Sequence, residues 1–325
     1  MKRGIILAAV LAATSLAGPA LAADLMPRKA PPMVAPPIQD WSGIYVGLEV
    51  GYGWGRQDGL NVPFTAEPGV GEFLNSVCQQ CGFDPFFELH EFQDLLNRNS
   101  SVADVLLGRT KQTGWLAGGF FGAQKQWGNW VLGLEGDIDG ANIKGSVSGF
   151  AARSGGVAPV TDESLDEFLN LRHAASLESK VDLLASVRGK VGFAASPNWL
   201  IYGTGGMAFA HVKNTLSSAQ SLAFGDDCIV DGGFSDCEGG FVSAAKAFSL
   251  SSGTSMFGWA AGFGTDWKVP IDAGSAWVFG LEYLHYGFPS QTITLSDSFG
   301  RSLSFNAKED VDTIKARISY LFSIH

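Results

Sequence analysis

Eight stretches of the chain alternate apolar with polar or small residues at a period of two, the repeat of a β-strand with two unlike faces. They lie at about 41–56, 113–127, 130–145, 180–195, 199–213, 255–268, 276–288 and 310–322. In the first, Ile44, Val46, Leu48, Val50, Tyr52 and Trp54 share one side, and Tyr45, Gly47, Glu49, Gly51 and Gly53 share the other. A slip of one residue would move Glu49 to the apolar side, so the register is well specified. The same sorting sets Trp130, Leu132, Leu134 and Ile138 against Glu135, Asp137 and Asp139. It sets Val181, Leu183, Val187, Val191 and Phe193 against Asp182, Arg188 and Lys190, and Trp259, Phe263 and Trp267 against Asp266 and Lys268. Trp277, Phe279, Leu281 and Tyr283 oppose Glu282, while Ile314, Ala316, Ile318, Tyr320 and Phe322 oppose Lys315 and Arg317. Only the second stretch puts a charge, Lys125, on its apolar side, near a strand end where a long side chain can snorkel. The fifth, around Tyr202 to Gly206, is too glycine-rich to orient.

The connections alternate as well. About 57–112, 146–179, 214–254 and 289–309 are long, whereas Gly128-Asn129, Ser196-Pro197-Asn198 and 269–275 with Pro270 are short. Tight turns on one rim and long loops on the other are the pattern of a bacterial outer-membrane barrel, with both chain ends on the periplasmic, short-turn side. Alternation alone also fits a soluble sandwich or barrel with the apolar side inward. Three features favour the membrane. Aromatic residues gather near strand ends (Trp41, Tyr52, Trp54, Trp127, Trp130, Trp199, Trp267, Trp277), the last strand ends on aromatics, and glycine shares the charged side. Composition agrees: 42 glycines, 12% aromatic and only 17% charged residues suit close-packed strands and turns. Beyond the N-terminus no run of 18 apolar residues supplies a transmembrane helix. The expected fold is all-β: an eight-stranded antiparallel up-and-down transmembrane β-barrel with long extracellular loops.

The N-terminus reads as a signal peptide over 1–22, with Lys2 and Arg3, an apolar run from Ile5 to Leu16, and Ala20-Leu21-Ala22 as cleavage site. Residues 23–40, with Pro27, Pro31, Pro32, Pro36 and Pro37, read as an extended periplasmic linker, which leaves 41–325 for the barrel. Such a chain is expected in the outer membrane of a Gram-negative bacterium.

If the charged sides line the lumen, Glu49, Glu135, Asp137, Arg188, Lys190, Glu282, Lys315 and Arg317 meet there. Unpaired charges in so narrow a space would each cost several kcal/mol, so a mutually paired network is expected. An eight-stranded barrel is only wide enough for side chains to fill it, which makes a salt-bridged plug the primary reading and a proton or ion path the alternative. The four long connections hold 20 acidic and 8 basic residues, so the excess negative charge of the chain, formally −10, gathers at the outer rim. It either attracts divalent cations and basic partners or simply keeps the loops solvated.

Two loop stretches, Pro85–Asn97 and Thr161–Leu171, have partial helical spacing. Cys78, Cys81, Cys228 and Cys237 all fall in loops of an exported chain, which favours disulfides. The local pairings are Cys78–Cys81 and Cys228–Cys237, and two inter-loop pairings are also allowed. Cys78-Gln79-Gln80-Cys81 has zinc or redox spacing, but no neighbouring His or thioredoxin-like pattern supports it. The five histidines, His90, His173, His211, His285 and His325, form no catalytic or metal motif, and alternation separates His285 from Glu282. No enzyme, cofactor or metal is therefore expected, and an acidic exported chain does not suit nucleic acid.

Several of these segments resemble the alphaproteobacterial outer-membrane immunogenic protein family. They are Trp41-Ser42-Gly43-Ile44-Tyr45-Val46-Gly47 after the proline-rich linker, Val131-Leu132-Gly133-Leu134-Glu135-Gly136-Asp137-Ile138, Val187-Arg188-Gly189-Lys190-Val191-Gly192-Phe193, Tyr202-Gly203-Thr204-Gly205-Gly206 and Gly280-Leu281-Glu282-Tyr283-Leu284-His285-Tyr286. The resemblance covers all eight strands and the linker but not the long loops. It implies a small barrel similar to the transmembrane domain of outer membrane protein A, serving envelope integrity and surface contact without catalysis. Implied partners are outer-membrane lipid and lipopolysaccharide, the assembly machinery through the C-terminal strand, and host or surface ligands at the loops. A small-solute channel and a haemin or other ligand receptor are the alternatives; no motif carries haemin-binding residues over. Members of the family end on the terminal aromatic, whereas here Ser323, Ile324 and His325 follow Phe322.

Overall fold

The eight alternating stretches, lengthened outward by segments of weaker alternation, form the long strands of the computed structural model, which describes residues 40–64, 103–157, 167–225, 228–231, 234–237, 241–272, 274–298, 300 and 302–323 and holds twelve strands among them. In chain order they are β1 (Gly43–Gln57), β2 (Leu60–Val62), β3 (Val105–Leu107), β4 (Thr110–Trp127), β5 (Trp130–Val157), β6 (Glu167–Ser196), β7 (Trp199–Gly225), β8 (Cys228–Asp231), β9 (Phe234–Cys237), β10 (Phe241–Pro270), β11 (Ser275–Ser296) and β12 (Ser302–Ser323). Eight of them close a barrel in the order β1-β12-β11-β10-β7-β6-β5-β4, each neighbour antiparallel. Closure leaves no unpaired edge, the condition for a sheet to cross lipid. The transmembrane β-barrel expected from the alternation is the fold observed.

The sidedness is that of a membrane barrel. Leu48 is 67% exposed and Leu134 60%, whereas Glu49 and Glu135 are 4% and 2% exposed. Exposed apolar side chains form a continuous outward band on all eight strands, rimmed by Trp127, Trp130, Trp199, Trp267 and Trp277 at one end and by Tyr52, Trp54 and Trp115 at the other. Lys125 is the outward charge on the lower part of β4, with its ammonium 5.9 Å from the Trp127 ring centre. Short turns join β4 to β5 through Gly128-Asn129, β6 to β7 through Pro197-Asn198, and β10 to β11 through 271–274. The first of these needs φ near +60° at Gly128, a value that glycine adopts without strain.

Three sequence expectations are corrected. The strands run further outward than the alternation suggested: β5, β6, β7 and β10 have 28, 30, 27 and 30 residues. A tilted strand needs only about 9–11 to cross a bilayer. Much of the last three long connections is therefore wall, because these serine-rich segments pair in register with their neighbours, whereas the first adds little to it. Second, the expected helix at Thr161–Leu171 does not form over 167–171, which pair with β5 and β7 as the outer end of β6. The described residues contain no α-helix; 161–166 and the other helical candidate, Pro85–Asn97, lie outside them. Third, Val181 is buried in the lumen and Asp182 lies outside, bound to Lys213 at 2.7 Å. Register shifts on both sides of β6 at this point mark a bulge, which reverses the phase of the alternation.

The interior is filled in layers. An aromatic floor around Trp41, Tyr45, Phe120 and Tyr202 lies at the short-turn end, beneath a charged layer. Above that come an apolar layer around Leu116, Ile143, Leu184 and Phe288 and a polar belt of Gln57, Gln112, Ser179, Asn214 and Glu309. Outermost, Leu60 and Val62 of β2 and Val105 and Leu107 of β3 pack against inward residues of the wall such as Leu177, Leu216 and Leu295. The stem of the first long connection thus folds back inside the barrel and stoppers it.

Candidate functional site: a charged lumen

Period-two geometry aims one carboxylate or cation from each successive pleat into the same small volume. Arg188 on β6 is fully buried and meets three acids: Glu135 and Asp137 on the adjoining β5 at 2.9 Å each, and Glu282 across the lumen on β11 at 3.2 Å. Arg317 on β12 meets Glu49 at 3.1 Å, Glu135 at 2.7 Å and Glu282 at 3.1 Å. Its guanidinium also lies 3.7 Å from the Phe120 ring centre. Lys315 binds Glu49 at 2.7 Å, Asp137 at 3.5 Å and Asp139 at a short contact. Lys190 binds Asp266 at 2.8 Å and stands 3.8 Å from the Tyr202 ring centre. All eight residues singled out in the sequence thus share one connected cluster.

The alternation also placed Asp139 and Asp266 on the charged side, and they complete the cluster. Two tyrosines escaped notice. The Tyr45 hydroxyl donates to Glu135 at 2.9 Å, and the Tyr202 hydroxyl donates to Glu282 at 3.2 Å while accepting from Arg317 at 2.8 Å. Each ring lies over a glycine of the neighbouring strand: a Cβ on Gly122 or Gly264 would fall 2.5 Å from the phenol. That close approach explains why glycine shares the charged face, and the recurring Tyr/Gly pattern was the available signal. Ser186 donates to Asp137 through another short contact.

The oxygens of Glu49, Asp137 and Asp139 lie within 4.8 Å of one another, a spacing that would suit a metal ion. The Lys315 ammonium stands among them instead, bound to all three. A cavity of about 10 Å³ remains at the floor beside Lys190 and Asp266, which is space for about one water. The arrangement therefore pairs buried charges and fills the lumen at this height with side chains.

Other candidates are placed as follows. Cys228 and Cys237 are cross-strand partners in the β8–β9 pair, and Cys78 and Cys81 lie outside the described residues. His285 finds its carboxylate on the next strand, Asp312, at 2.8 Å, and Tyr283 donates to the same oxygen at 2.6 Å. With the His285 ring tilted by 48° against Trp259 at 5.2 Å, this His–Asp–Tyr group sits on the outward face as part of the aromatic rim. His173 points inward at the stopper. Its Nδ1 donates to the Ala103 carbonyl and its Nε2 accepts from Ser218, both at 2.9 Å, and burial holds the ring below its ordinary pKa. No sequence pattern links His173 to Ala103, because the contact depends on the stopper's fold.

No family model matches the chain. It is 24% identical over 289 residues to the 31 kDa outer-membrane immunogenic protein of Brucella melitensis, covering 87% of this chain and 84% of the relative, and equally to that of Brucella suis. The family resemblance read from the strand motifs agrees with this match. Among solved structures the chain is similar to Ail, the attachment invasion locus protein of Yersinia pestis (12% identity, TM-score 0.26, 86% of this chain and 99% of that one). It is also similar to the outer membrane protein OprG of Pseudomonas aeruginosa (11%, 0.27, 88% and 99%) and the outer membrane protease OmpT of Escherichia coli (7%, 0.27, 86% and 96%).

Proposed function

We propose that this outer-membrane barrel is a plugged, non-conducting scaffold that raises a tall β-wall from the membrane and holds acidic connections at its far rim for surface contact. The observation that carries the reading is the lumen, filled at every height by buried side chains, with the Arg188, Lys315 and Arg317 ion pairs at its centre. The name of the Brucella proteins, outer-membrane immunogenic, supports surface exposure of the corresponding part here. Planar-bilayer recording of the purified full chain tests the proposal. No steady current above the lipid background is expected, and sustained openings of porin size would replace the scaffold with a small-solute channel.

The same reading puts the short-turn rim in the periplasm, since the start of β1 and the end of β12 both lie there. Export through residues 1–22, cleavage after Ala22, and recognition of β12 by the assembly machinery belong to it. A Cys228–Cys237 disulfide would staple the third long connection, because residues facing across an antiparallel pair have Cα atoms about 4.5–5.5 Å apart, within disulfide reach.

A further inference from the structure

Just beyond the apolar band, the outward face carries a run of basic residues that the acidic character of the chain conceals. Arg56 of β1 lies opposite Lys111 of β4, and Lys144 of β5 lies opposite Lys180 of β6, which in turn lies opposite Lys213 of β7. These five strands are consecutive round the barrel, so the five cations form one arc. The arc begins where the band ends: Trp54 precedes Arg56 by two residues, and Trp115 and Phe209 lie four residues from Lys111 and Lys213 toward the membrane. Of these five cations, Lys213 alone has an ion pair among the described residues, with Asp182 at 2.7 Å. Asp310, across from Arg56, is taken by Lys308 at 2.9 Å, and Glu178 stands one pleat further out on β6.

Like charges directly opposite on paired strands have Cβ atoms about 4.5–5.5 Å apart and repel. Asp182 relieves Lys213, but Lys144 opposite Lys180 has no such carboxylate, and an anion bound there would turn repulsion into attraction. A phosphate over Lys144 and Lys180 would accept charge-assisted hydrogen bonds from both. The exposed band immediately below offers the same ligand an apolar wall for acyl chains, which a free anion could not use.

We infer that the arc of Arg56, Lys111, Lys144, Lys180 and Lys213 is a binding surface for the phosphate groups of a glycolipid in the outer leaflet. This rests on the orientation in the outer membrane proposed above.

The test uses the full chain folded into phosphatidylcholine vesicles, with lipid A, a phosphorylated glycolipid, titrated in and protein-bound lipid quantified. The comparison ligands are the dephosphorylated lipid and inorganic phosphate, and the comparison variants are Lys144→Gln/Lys180→Gln and Lys246→Gln, an exposed lysine of β10 outside the arc. Folding is checked by the shift in gel mobility between unheated and boiled samples. The folded double variant is expected to bind lipid A on the order of 30-fold more weakly, with K246Q unchanged. Equal binding by the double variant, equal binding of the dephosphorylated lipid, or an equal effect of inorganic phosphate would each overturn the inference. If correctly inserted protein shows no lipid preference, only this inference fails. If the wild-type chain neither inserts nor fractionates with outer membranes, the proposed function fails with it.

Discussion

Arg188 draws its three carboxylates from two other strands, so removing it strands several buried negative charges at once. The Arg188→Ala variant is expected to lose about 3–5 kcal/mol of stability, read from urea unfolding of vesicle-inserted protein. Six carboxylates face four cations in the cluster, so Asp266→Asn should cost clearly less in the same assay. Glu309 illustrates the opposite imbalance, above the membrane band. Among the described residues its one donor is Gln112 at 3.3 Å, its second oxygen is buried without a partner, and burial pushes its carboxyl well above the usual 4.5. A raised acid favours folding below the ordinary value, and that advantage is lost as pH rises through the folded value. Glu309→Gln should therefore stabilise the barrel at neutral pH by about 1–3 kcal/mol and flatten its acid-side pH dependence. Unchanged midpoints would show that the carboxyl is hydrated.

Among elements, the β2–β3 stopper depends most on a single side chain. The Ala103 carbonyl can only accept, which puts a proton on His173 Nδ1, while Nε2 faces the Ser218 hydroxyl and the Gln220 amide nitrogen, a donor, at 3.4 Å, a setting that suits a neutral ring. Its pKa is depressed by burial, with Asp104 acting in the opposite direction. The docked stopper is thus fully favoured above about 6.5, the ordinary imidazole value, and weakens as pH falls through the lower docked value. Amide protection factors, exchange corrected for the intrinsic rate at each pH, should fall at Leu60–Val62 and Val105–Leu107 on acidification in the wild type and stay constant in His173→Gln. The bulge at Asp182 belongs to this scale too. One extra residue returned Val181 to the lumen and sent Asp182 out to Lys213, a change that strict alternation cannot foresee.

For the whole molecule, layering implies that blockage is redundant. The charged layer, the apolar layer and the stopper each close the lumen. Deleting the stopper's apolar contacts through Val105→Ala/Leu107→Ala should loosen the mouth without opening a conducting path. Porin-size current from that variant would show that the inner layers do not seal.

The number of barrel strands, the order of long and short connections, and the choice of face for Glu49, Glu135, Glu282, Lys315 and Arg317 were all legible in the amino-acid order. Each follows from the two-residue repeat of a strand and from the cost of placing a charge in lipid, which are local rules. The height of the wall was not legible, because serine- and alanine-rich outer segments have weak alternation and become strand only by pairing with neighbours. Nor were the partners of His173, the pairing of His285 with Asp312, or the lysines aligned across β5, β6 and β7. Those depend on cross-strand register and on a connection that folds back inside, and both are set by closure of the barrel, which joins residues up to 280 positions apart, as Gly43 and Ser323 are joined.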